Sequence, residues 1–124
     1  MLAPNNPYEA YRRVDFDARI EGADSSHLVN LCYEQLAAAL GTAIYAHQEG
    51  DNRLKSQSLT RALSAITALQ LGLRGDEGVA RALRQLFLAA RKSILDSVLT
   101  FDAKVITTIR HDFLEISRAM STAD

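Results

Sequence analysis

Residues 24–50 read DSSHLVNLCYEQLAAALGTAIYAHQEG. Asp24 or Ser25 can cap a helix at its start, and Gly50 can close one at its end. Between them the apolar residues recur every three to four positions, which is the helical period. They form two stripes. Leu28, Cys32 and Ala39 share one; Val29, Tyr33, Leu36, Leu40 and Ile44 share the other. A helix apolar on two faces belongs in the middle of a bundle, or it turns its second face to a partner.

The chain downstream repeats the pattern. Asp51 opens a second helical stretch in which Leu59, Ala62, Leu63, Ile66, Leu69 and Leu73 keep the period, and Gly72 and Gly75 end it. The turn GDEG leads to a third stripe of Leu83, Leu86, Phe87, Ala90, Ile94 and Val98. Asp102 marks a fourth start, followed by Val105, Ile106, Ile109, Phe113, Ile116 and Met120 at near-heptad spacing. No proline follows Pro7, so nothing interrupts these segments. The pattern predicts an all-α, antiparallel up-down four-helix bundle over residues 24–121, with helices at about 25–48, 52–72, 77–99 and 102–121.

Upstream, the stretch NPYEAYRRVDF (residues 6–16) holds Tyr8, Tyr11 and Phe16, three of the chain's eight aromatic residues. Tyr8, Tyr11 and Val14 stand at i, i+3 and i+6, one side of a short helix. A helix of that length is marginal alone and must dock on something. Residues 1–23 are therefore expected to form an N-terminal latch segment and connector. The first residues lack the charged and apolar regions of a signal peptide.

Composition narrows the function. The chain has 124 residues, 48% of them hydrophobic, with 14 basic and 15 acidic side chains and a net charge of -1. That balance gives no electrostatic case for binding nucleic acid or an anionic membrane, and no apolar run is long enough to span one. The single cysteine, Cys32, lies in an apolar run and reads as a buried thiol in a reducing cytoplasm.

Chemistry-bearing motifs are missing. There is no Glu-x-x-His, the signature of metal-binding bundles. His27 and His47 stand at opposite ends of the first helical stretch and His111 in the fourth; His111 and Glu115 make a solvated i, i+4 pair, not a ligand pair. Ser26 and His27 are adjacent and point apart on a helix. The glycines of GLRGDEG lack the Lys-Ser/Thr of a phosphate loop. The sequence predicts no catalytic centre, no cofactor and no metal. Arg53, Lys55, Arg61, Arg81, Arg84, Arg91 and Lys92 decorate the middle helices, either as solvated faces or as a cationic rim around a groove for a peptide helix.

Three motifs, in order, resemble the FliS-type flagellar secretion chaperone family. YEAYRRV is similar to its N-terminal Tyr-x-x-Tyr-x-x-Val/Ile signature. LVNLCYEQLAAAL resembles its Leu-Ile-x-x-Leu-Tyr-Asp/Glu helix, and GDNRLKSQSLTRALSAITALQLGL its Gly-Asp/Asn-x-x-x-Lys-x-x-x-Leu-x-x-Ala-x-x-Ile-x-x-Leu segment. Two positions depart from the pattern: Asp24-Ser25 stands where the family often has Ser-Pro, and Gln35 where it often has Gly.

The resemblance implies a cytoplasmic export chaperone. Such a protein binds the C-terminal segment of flagellin, blocks its premature polymerisation and assists its delivery to the flagellar type III export gate. An anti-sigma regulator is a further partner the resemblance allows, and the chain is a monomer or a homodimer. Tyr8, Tyr11 and Val14 are expected to bind partners by motif match. Leu28, Val29, Leu31, Tyr33 and Leu36 are expected to do so because their helix has apolar surface to spare; Ile66 and Leu69 join them. The alternative is a structural or signalling module that self-associates through the same faces.

Overall fold

The first reversal of the chain is written into five residues. Gly50 adopts φ 71°, a left-handed conformation that glycine takes without strain. There the Asp51 N–H donates to the Ala46 carbonyl at 2.8 Å and the Gly50 N–H to the His47 carbonyl at 3.2 Å. This pair of bonds satisfies carbonyls that a helix end leaves open. Asp51 then starts the next helix, its carboxylate accepting from the Leu54 N–H at 3.0 Å. One short link thus ends α1 (Ser25–Gln48) and begins α2 (Asn52–Gly72).

The computed structural model describes residues 25–122. The expected latch with Tyr8, Tyr11 and Val14, and the expected cap at Asp24, lie outside the described residues. α3 runs Gly78–Leu99 and α4 Ala103–Thr122. The α2–α3 link is held by Arg84, whose guanidinium donates to the Gly75 carbonyl at 2.6 Å. Glu77 precedes α3 without a side-chain cap bond. Asp102 caps α4, accepting from the N–H groups of Lys104 at 3.1 Å and Val105 at 3.3 Å.

Short links make neighbouring helices antiparallel, and side chains record the pairing. Asn30, early in α1, accepts from the Ser117 hydroxyl near the end of α4 at 2.9 Å. Arg110, mid-α4, lies across Gly41, mid-α1, and donates to the Ala37 carbonyl at 3.3 Å. A Cβ on Gly41 would sit 2.9 Å from the Arg110 Nε, so any larger residue there would make the Arg110 side chain shift. Among the described residues α1 packs on α2 and α4, while α3 packs on α2 and most lightly on α4. The chain is an all-α four-helix bundle with α1 and α3 on opposite corners.

At its centre, Tyr33 of α1, Phe87 of α3 and Phe113 of α4 meet with ring centroids 5.8–6.2 Å apart. Leu36, Leu40, Leu59, Ile66, Ile94 and Ile106 complete the same core. Each such side chain contributes about 1.5–3 kcal/mol through burial. Most of both α1 stripes is buried, with Leu28, Val29 and Ile44 only partly so. Ala37, Ala39, Ala43 and Ala46 are buried too, and their small size lets neighbours approach α1 from more than one side. Cys32 is a free, buried thiol, pushed above its ordinary pKa by burial. Tyr33 is pushed up to about 12, by burial first and then by Cys32.

Candidate partner-binding surface

The side chains singled out in the sequence separate into two groups. Leu31, Tyr33, Leu36, Ile66 and Leu69 are buried. Leu28 and Val29, in the first turns of α1, are half-buried, and Val29 packs against the edge of the core. Tyr45 of α1 and Leu71 of α2 are exposed singly, while α3 exposes several apolar side chains in register.

α3 turns Phe87, Ala90, Ile94 and Ser97 inward. Leu88, Leu95 and Leu99 are 57%, 47% and 91% exposed. Their spacing is i, i+7, i+11. At about 100° per residue, that places them within about 40° of one another. They form one stripe, well away from the inward face. Val98, expected in the core stripe, is exposed instead. The inward position one residue earlier is taken by Ser97, so the helix rotates Val98 onto its flank. Val105, expected in the core stripe of α4, is also exposed, while Ile106 beside it is fully buried.

One hydrogen bond fixes which flank of α3 faces which neighbour. Arg91 Nη1 donates to the Thr67 hydroxyl of α2. Arg91 lies between the core face and the leucine stripe, so the stripe leans outward on the α2 side. Thr60, Ser64 and Ala68, exposed on α2, are all small.

Charge on this helix is one-sided. α3 carries Arg81, Arg84, Arg91 and Lys92 against a single acid, Asp96, a balance of 4 − 1 = +3 in a chain of net charge -1. Lys92 pairs with Asp96 at 3.2 Å across a solvated i, i+4 step, a contact worth little.

The end of the bundle where α1 meets α2 has a different character. The His47 ring lies tilted against Phe101 with centroids 4.4 Å apart, and the Lys55 ammonium lies 5.4 Å from the Phe101 ring. The Lys55 ammonium also lies 3.2 Å from His47 Nδ1. This cluster ties the α1–α2 link to the α3–α4 link. His111 and Glu115 pair at 3.3 Å on the open face of α4. Among the described residues no group of three metal-ligating side chains is assembled. No described helix is long and apolar enough to cross a membrane.

The α3 leucines are the feature missed in the sequence. The available signal was their seven-residue spacing off the core stripe, beside a run of bases. What the surface offers chemically is an apolar strip with a cationic border, suited to a helix or extended segment and not to a small molecule. Compared with known proteins, the chain matches the family model described as flagellar protein FliS over residues 5–123. No curated protein matches the chain.

Proposed function

The chain belongs to the FliS family of flagellar export chaperones, and from that premise we propose that it binds the C-terminal segment of flagellin in the bacterial cytosol. Binding covers the apolar face of an unassembled subunit, prevents premature polymerisation and keeps the subunit deliverable to the export gate. The observation that carries this reading is the outward leucine stripe of α3, because folding leaves it unused. A bundle with no client has no need of three exposed leucines in register.

An unfolded client gives up roughly 2–5 kcal/mol in ordering, which favours release when the subunit must move on. The N-terminal segment with Tyr8, Tyr11 and Val14 acts as a displaceable cover whose position changes when the client binds. Half-buried Leu28 and Val29 belong to the surface it shares with the client. Leu31, Tyr33, Leu36, Ile66 and Leu69 serve the client through the fold they hold together.

Titration calorimetry of the full chain with a flagellin C-terminal peptide tests the reading. The expected result is saturable binding together with slower flagellin polymerisation. No heat and unchanged polymerisation would contradict it.

A further inference from the structure

We propose that the leucine stripe of α3 selects its occupant by charge: it takes an acidic amphipathic helix. This deepens the chaperone reading and rests on it for the role of the site. Leu88, Leu95 and Leu99 supply the apolar strip, and Arg81 and Lys92 supply its cationic border. By the same 100° step, Arg81 lies one turn-set from Leu88 and in line with Leu99, and Lys92 lies between Leu88 and Leu95. From Arg81 to Leu99 the strip spans about 27 Å, the length of an 18-residue helix at about 1.5 Å per residue.

The position of the basic residues runs against the helix dipole. The N-terminal half of a helix carries the positive end of its dipole, where acids are favoured and bases are not. α3 has no acid in its first turn and carries Arg81 and Arg84 in its first two turns. Arg84 has a local task at the Gly75 carbonyl and Arg91 one at Thr67. Arg81 lies exposed beside the leucines, and Lys92 is exposed there too, held only by its solvated pair with Asp96. An acidic partner neutralises this surplus as it covers the apolar strip. A second copy of the chain brings another +3 helix to the same contact, which opposes pairing through this face.

The test uses the full chain and two synthetic helices of about 18 residues. Both carry leucines at i, i+3/i+4 spacing; one has glutamates on its flanks, the other lysines at the same positions. Wild type is expected to bind the acidic helix at least about tenfold more tightly, with the preference fading as salt is added. The Arg81→Glu/Lys92→Glu variant is expected to reverse the order while keeping the wild-type circular dichroism and melting curve. Equal binding of both helices, or an unchanged preference in the variant, overturns the proposal. So does a wild-type dimer that the acidic helix fails to dissociate.

A third arm uses the flagellin C-terminal peptide. If wild type and variant bind it equally, the charge proposal falls and the chaperone reading stands. If neither binds it while the acidic helix binds wild type, the chaperone reading falls and the charge-selective site stands.

Discussion

α1 and α3 are both long helices with more apolar side chains than one face can hold, and they end up in opposite situations. α1 buries most of both stripes; Leu31, Tyr33, Leu36 and Leu40 are at most 2% exposed. α3 buries one and leaves Leu88, Leu95 and Leu99 in water. The difference lies in what accompanies the leucines. Alanines at 37, 39, 43 and 46 let other helices close on α1 from several sides. On α3, Arg81, Arg84, Arg91 and Lys92 keep the second face out of the core, since burying unpaired charge is prohibitive. Surplus apolar surface thus remains available for a partner only where charged neighbours prevent the fold from consuming it.

The contrast is sharpest in the core. Leu36→Ala, at a fully buried position of α1, should cost about 2–5 kcal/mol in denaturant unfolding. A loss below about 1 kcal/mol, nearer to what exposed positions show, would mean α1 is not the central helix.

Alkaline pH probes the same core at its aromatic centre. The Tyr33 phenol is pushed up to about 12 in the folded chain from an ordinary 10.0. Above pH 10 the unfolded chain therefore binds fewer protons than the folded one, and stability falls as pH rises towards 12. The loss should be roughly 2–3 kcal/mol. Cys32, raised from 9.0, acts in the same direction. Tyr33→Phe should flatten most of this decline; an unaltered pH profile in that variant would place the sensitivity elsewhere.

The helix starts differ in the same sense. Asp51→Ala removes the bond to the Leu54 N–H that launches α2 beside α1 and should cost about 1 kcal/mol. Glu77→Ala ahead of α3, where no such bond exists, should change stability by less than about 0.5 kcal/mol. Thermal melts of the pair decide this, and equal losses would erase the distinction. Smallest of all, Leu99→Ser on the exposed stripe should leave stability within about 0.5 kcal/mol yet weaken client binding measured by calorimetry.

Local features of the fold were legible in the sequence. Gly50 and Asp51 read correctly because the chemistry of a helix end depends on a few adjacent residues, and Asp102 read correctly for the same reason. The core stripes of α2 and α4 followed from period alone through Ile66, Leu69, Ile106 and Phe113. Which surplus stripe stays outside was not legible. The choice between Ser97 and Val98 for the inward position depends on how α3 is rotated against α2, and that rotation is seen in the Arg91–Thr67 bond across two helices. Spacing within one helix carries no such information. The sequence reading assigned the spare surface to α1, most of whose apolar side chains the bundle buries.

Amide hydrogen exchange on the full chain, with and without the flagellin C-terminal peptide, tests most directly that α3 lends the surface folding does not use. The account predicts that the peptide slows exchange chiefly along residues 84–99 and leaves residues 36–46 of α1 unchanged. Protection gained along α1 with none along α3 would contradict it.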